Sequence, residues 1–151
     1  MKAVIQRVSS ASVTVNQQVI GQINKGLLVL LGVADADTME DLDYLVKKIT
    51  QMRIFEDEAG KMNLGLKDVD GQLLIVSQFT LFANTKKGNR PSFIEAGAPV
   101  YSKKMYELFI EKCKNLGFVV ESGEFGADMK VSLLNDGPVT IVMDTATIFP
   151  K

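Results

Sequence analysis

The chain has 151 residues, 46% of them hydrophobic and 23% charged, with a formal net charge of −1. That composition is typical of one globular domain, and it excludes a disordered tail or a protein that coats nucleic acid through bulk positive charge. It has no histidine and one cysteine, Cys113, which excludes Cys/His zinc sites, Ser-His-Asp triads, Cys-His pairs and an internal disulfide.

Met1-Lys2-Ala3-Val4 enters a strand pattern directly, and Ala3–Val8, Ala11–Val15 and Val19–Ile23 read as short strands parted by Ser9-Ser10 and Asn16-Gln17-Gln18. Asn24-Lys25-Gly26 turns the chain into Leu27–Val33, an unbroken apolar run that suits a central strand covered on both faces. This longest apolar run falls far short of the ~20 residues that a membrane span needs. With no signal-peptide pattern ahead of it, no membrane and a cytoplasmic location are expected.

Asp35-Ala36-Asp37-Thr38 offers a helix start, with Asp41 placed to close a capping box on Thr38. Leu42, Leu45, Val46, Ile49 and Met52 follow at helical spacing. Arg53–Glu56 reads as a strand, and Glu56-Asp57-Glu58 before Ala59-Gly60-Lys61 as a solvated hairpin tip rather than a cation site. No metal and no cofactor are expected.

A further strand covers Leu73–Phe82, and Asn84–Gly97 is loop-like. Pro99 opens a second amphipathic helix, with Tyr101, Met105, Leu108, Phe109, Cys113 and Leu116 on its stripe and Gly117 at its end. Cys113 lies on that stripe and reads as core. Phe118–Val120, Val131–Leu134 and Val139–Met143 return to strands, the last two joined by a tight turn at Asn135-Asp136-Gly137-Pro138. The sum is a single α+β domain over residues 1–151: a large, mostly antiparallel sheet or barrel with two amphipathic helices.

Charge is uneven. Asn84–Lys114 has seven Lys/Arg against three acids, whereas Thr38–Asp70 has five against eight. Lys86, Lys87 and Arg90 could therefore meet a few phosphates of a nucleic acid.

Three segments can carry chemistry. Ser77-Gln78-Phe79-Thr80 brings hydroxyl and amide groups into an apolar run. Such a cluster either faces a cleft or ligand, where hydroxyls and main-chain N–H groups can stabilise an oxyanion, or merely ends the strand on its own backbone. Gly137-Pro138 permits unusual φ and a cis bond that would present main-chain acceptors to a ligand; the alternative is an ordinary hairpin turn. Gly123–Met129 surrounds Phe125 with small residues, so the ring is either a stacking wall for a base or simply core.

Together, Ser77-Gln78-Phe79-Thr80-Leu81 and Asn135-Asp136-Gly137-Pro138-Val139-Thr140 closely resemble the two signature motifs of the D-aminoacyl-tRNA deacylase family. The likeness extends through Gln6-Arg7-Val8, Gly26–Val33, Arg53-Ile54-Phe55, Gly60–Leu64, Arg90–Phe93 and Phe125–Met129. The resemblance implies a homodimeric hydrolase that removes D-amino acids, and glycine, from the 3′ end of aminoacyl-tRNA. It implies that main-chain groups and hydroxyls of Ser77, Gln78, Phe79 and Thr80 hold the 3′-terminal adenosine and the ester. Gly137 and Pro138, in a cis turn supported by Arg7, would act as a chirality gate in the partner's site. Phe125 and Met129 would line the adenosine end. Thr80 as nucleophile ranks second, because no residue is an evident base for it. Two other readings stand beside this one: an RNA-independent hydrolase of D-amino-acid esters or peptides using Ser77 or Thr80, and a non-catalytic RNA-end binder.

Overall fold

Eight strands and two α-helices make up the computed structural model, which describes residues 1–151. β1 (Lys2–Val15) is the spine of its large sheet. Along one edge β1 pairs with β3 (Gly26–Gly32) over its first half and β2 (Gln18–Ile23) over its second; along the other it pairs with β8 (Lys130–Asp144). All three pairings are antiparallel. β6 (Gln72–Ser77) then adds parallel to β3, and β7 (Val120–Ser122) parallel to β6. The far edges curl toward each other: a Cβ on Gly21 of β2 would lie 2.7 Å from the Ser122 carbonyl oxygen of β7, so only glycine permits that approach. The result is a nearly closed, barrel-like sheet in an α+β fold.

α1 (Met39–Gln51) and α2 (Pro99–Asn115) cover one face. Leu27, Val29 and Leu31 of β3 and Leu73 and Ile75 of β6 share a core with Leu42, Leu45 and Ile49 of α1 and Phe109 of α2. Leu28, Leu74 and Val76 alternate to the other face and join Val8, Ala11, Val13 and Ile23 in a second core. Each fully buried leucine contributes about 1.5–3 kcal/mol. Two-sided burial is why Leu27–Leu31 of β3 and Leu73–Val76 of β6 are apolar without interruption. Cys113 is buried in the first core, where burial pushes its thiol up to about 12.

α1 starts where the capping chemistry predicts. Thr38 N donates to Asp41 Oδ2 at 2.9 Å. Asp41 also accepts from Thr145 Oγ1 and from Lys151 Nζ, the latter at 2.7 Å. Burial opposes the Asp41 charge, but the bonds from Lys151, Thr145 and Thr38 outweigh it and hold the carboxyl well below the ordinary carboxylate range.

Some boundaries differ from the sequence reading. The strands expected on either side of Ser9-Ser10 are one strand, because Ser9 forms a bulge. While β1 advances from Val8 to Ser10, β8 moves only from Asn135 to Leu134. Ala3 and Ile5 face the helix-side core and Val8, by ordinary alternation, the second; the extra residue shifts the alternation so that Ala11 and Val13 join Val8 there. The strand expected over Leu73–Phe82 stops at Ser77 and gives way to a 3-10 helix, Phe79–Phe82. Leu116, expected on the α2 stripe, is exposed at the C-cap. The hairpin at Gly60 joins β4 (Phe55–Glu56) to β5 (Met62–Leu64), and Asp57 Oδ1 accepts from Ala59 N and Lys61 N within the turn. No group of three or more His, Cys, Asp or Glu gathers as metal ligands would, and no helix is long and apolar enough to cross a membrane.

Candidate active site

A cavity of about 540 Å³ opens where β6 ends. Ser77, Gln78 and Phe79 line it, as do Phe125 and Met129. Gln78 N donates to Leu31 O at 2.8 Å, the last ladder-like bond before the chain turns into the 3-10 helix. Phe79 and Thr80 open that helix, so their amides have no acceptor within it. Leu81 N is the first to find one, at Gln78 O. Phe79 is 59% exposed and meets Phe93 edge to face, with ring centroids 5.3 Å apart. Thr80 lies outside the lining, and its hydroxyl oxygen accepts from Gln78 Nε2. No carboxylate or amine bonds to Thr80, so nothing in this chain is placed to take its proton.

Phe125 packs its ring at 5.9 Å from that of Tyr106 on α2. Tyr106 donates its hydroxyl to Ile75 O at 2.7 Å, and burial raises the phenol to about 12, so it is a fixed neutral donor. Gly97, Ser102 and Tyr106 also line the cavity and were not singled out by the sequence. The available signal was the i, i+4 spacing of Ser102 and Tyr106, which puts a small polar residue and an aromatic on one face of α2.

The second motif sits elsewhere. The tight turn expected between two strands is an excursion within one strand: β1 moves from Gln6 to Val8 while β8 moves from Thr140 to Asn135. The Asn135 side chain closes the excursion, its Oδ1 accepting from Val139 N at 2.9 Å and its Nδ2 donating to Val139 O at 3.1 Å. An amide side chain thus does what a neighbouring strand would do. Arg7, 5% exposed, holds the excursion from beneath: Nε donates to Asp136 O at 2.9 Å and Nη1 to Ile54 O at 2.7 Å. Gly137 has φ 139° and joins Pro138 through a cis bond. A Cβ at Gly137 would approach Val139 Cγ2 to 2.7 Å and Arg7 Nη2 to 3.2 Å. Gly137 and Pro138 are exposed and lie outside the cavity of their own chain.

Lys86, Lys87 and Arg90 are exposed on a loop closed by Asn84 and Ser92, whose amides exchange bonds of 2.7 and 2.9 Å. They too lie outside the cavity.

Residues 4–144 match the family model described as D-Tyr-tRNA(Tyr) deacylase. The chain belongs to the D-Tyr-tRNA(Tyr) deacylase family. It is therefore a member of a hydrolase family. It is 56% identical over 149 residues to a D-aminoacyl-tRNA deacylase of Thermosipho africanus, covering 99% of this chain and 100% of that protein. It is 59% identical over 146 residues to one of Flavobacterium johnsoniae, covering 96% and 97%. Among solved structures, a c-Myc DNA unwinding element binding protein superposes with a TM-score of 0.89 at 42% identity, over 95% of this chain and 98% of that one. A probable eukaryotic D-amino acid tRNA deacylase superposes with 0.82 over the same shares at 19% identity, a likeness of fold.

Proposed function

We propose that this chain hydrolyses the ester bond of D-aminoacyl-tRNA, and of glycine carried on tRNA, releasing the amino acid and the tRNA. The observation that carries this reading is the meeting of Ser77, Gln78 and Phe79 with Phe125 and Met129 around one largely apolar cavity, in a chain that belongs to the deacylase family. A volume of about 540 Å³ suits one nucleoside and its ester.

In this reading Phe125 and Met129 receive the 3′-terminal adenosine, and the Ser77–Thr80 segment holds the ester. The unpaired amide of Phe79, which lines the cavity, faces the charge that develops on the ester carbonyl oxygen when water adds. A base is not required of the protein, since the vicinal ribose hydroxyl can assist attack or leaving-group departure. Thr80 is an acceptor of the Gln78 amide rather than an activated nucleophile, which favours this route over a covalent one.

The chirality gate belongs to the same proposal. Gly137 and Pro138 stand away from their own cavity, so they reach an ester only if a second copy presents them. Leu133, Leu134 and Val142 are exposed along β8, apolar surface that a second copy would cover, which supports a homodimer. Main-chain carbonyls of the inserted excursion would accept from a D-amino group and obstruct an L-side chain. The single domain, the tRNA partner and a cytoplasmic location complete the reading, with the exposed Lys86, Lys87 and Arg90 meeting tRNA phosphates. Deacylation of matched D-aminoacyl-, L-aminoacyl- and glycyl-tRNA tests it. Hydrolysis of the D and glycyl esters with the L ester spared is expected. Equal rates on both hands would overturn the gate, and hydrolysis of free D-amino-acid esters at the tRNA rate would overturn the RNA requirement.

A further inference from the structure

One buried side-chain polar atom in the molecule has no hydrogen-bond partner: Ser102 Oγ. Ser102 is 8% exposed, lies in the first turns of α2 and lines the cavity. A helical serine or threonine ordinarily satisfies its hydroxyl at the carbonyl four residues back. Thr50 does so in α1, donating to Val46 O at 2.7 Å. The equivalent carbonyl for Ser102, Ala98 O, receives only the Ser102 amide, at 2.9 Å. Gly97 leaves the space in front of the hydroxyl free, since a Cβ there would stand 2.8 Å from Ser102 Oγ.

The other polar side chains around the cavity are differently placed. Tyr106 spends its hydroxyl on Ile75 O, and Asp128 is exposed and paired with Lys130. Ser77 and Gln78 belong to the ester end. Ser102 lies one helical turn before Tyr106 on the same face of α2, and Tyr106 is in ring contact with Phe125. Ser102 and Tyr106 thus share the α2 side of the cavity, and Phe125, the residue assigned to the base, packs against that side. An adenine against such a wall is apolar on its faces and polar only along its edge, so its edge needs a partner inside the cavity.

We propose that Ser102 Oγ is that partner: the hydrogen-bonding group that the floor of the cavity offers to the edge of the terminal adenine. The inference rests on the deacylase reading and adds to it a residue that helps select the base.

The test uses 3′-(D-alanylamino)-3′-deoxyadenosine, whose amide replaces the labile ester, and its counterpart with indole in place of adenine, which keeps the ring faces and lacks the edge groups. Calorimetric Kd values are measured for the full chain and for Ser102→Ala, together with the Tm of each without ligand. The adenine compound should bind Ser102→Ala about tenfold more weakly, the scale of one neutral hydrogen bond. The indole compound should bind both proteins alike, and the free variant should melt no lower than the parent. Equal affinity of both proteins for the adenine compound would overturn the proposal. An equal loss for both compounds would also overturn it, since Ser102 would then shape the cavity without reading the edge. A lower Tm of the free variant would show that the hydroxyl already has a partner. If the parent protein neither binds the adenine compound nor deacylates D-aminoacyl-tRNA, the deacylase reading fails instead, which is a different outcome.

Discussion

β6 and β8 both carry a polar motif where an apolar strand would otherwise run on, yet β6 stops at Ser77 whereas β8 leaves its ladder at Asn135 and rejoins it at Thr140. The difference lies in what replaces the lost ladder bonds. At Asn135 a side-chain amide makes both missing bonds to Val139, and Arg7 takes the Asp136 carbonyl, so the strand survives the interruption. Beyond Ser77 no side chain does this, and the backbone turns into a 3-10 helix whose leading amides stay free. One interruption is braced and projects outward; the other is open and faces a cavity. Braced backbone suits a rigid obstacle, and open backbone suits a site that must donate to a ligand.

The largest expected effect comes from straining the braced excursion. Gly137→Ala forces a side chain into a φ of 139° and against Val139 and Arg7. Deacylation of D-aminoacyl-tRNA should fall about 100-fold, the scale of a displacement near 1 Å at a reacting centre. Circular dichroism should show the fold intact. Mixing this variant with one whose own cavity is filled, Ser77→Phe, should restore about a quarter of the parental sites if the excursion acts across a two-fold interface. Additive loss without recovery would confine both motifs to one chain.

A substitution remote from both interruptions should change stability and leave activity alone. Asp41→Asn removes the charge that Lys151, Thr145 and Thr38 stabilise. At neutral pH this should cost about 2 kcal/mol in urea unfolding, the scale of a charge-assisted bond. The folded carboxyl lies below its unfolded value, so its contribution is complete above about pH 4 and is lost as the solution becomes more acidic. The urea midpoints of parent and variant should therefore converge on acidification; a constant gap would show that charge is not what matters at Asp41.

Thr80→Ala sharpens the account of the open interruption. It deletes an acceptor for the Gln78 amide and leaves the leading amides in position. Single-turnover deacylation should slow by less than about tenfold, whereas removal of an oxyanion donor costs about 10²–10³. A trapped acyl ester on Thr80 would reverse the assignment of roles.

The smallest effect belongs to the loop outside both motifs. Replacing Lys86, Lys87 and Arg90 by alanine should raise KM and flatten the log–log salt dependence by up to about 2, with the preference for D over L unchanged. An unchanged slope would mean that these side chains remain in solvent throughout the reaction.

Much of this molecule is determined by local chemistry that can be read along the chain. The capping box at Thr38 and Asp41, the proline start of α2, the hairpin at Gly60 and the two-sided burial of Leu27–Val33 depend on near neighbours or on simple periodicity. The absence of histidine limited the chemistry, and the two motifs pointed to the family before any geometry. Three things were decided only by the tertiary structure. The bulge at Ser9 and the Asn135–Val139 excursion exist because β1 and β8 run side by side, a pairing of residues more than a hundred positions apart that no local pattern encodes. The end of β6 depends on the absence of a side chain to continue its ladder. The exposure of Ser102 to a cavity depends on α2 docking beside Gly97 and Phe125, so a residue that reads as an ordinary helical serine becomes a polar group without a partner. Side-chain type travels with the sequence, but whether a polar atom is satisfied depends on what long-range packing brings to it.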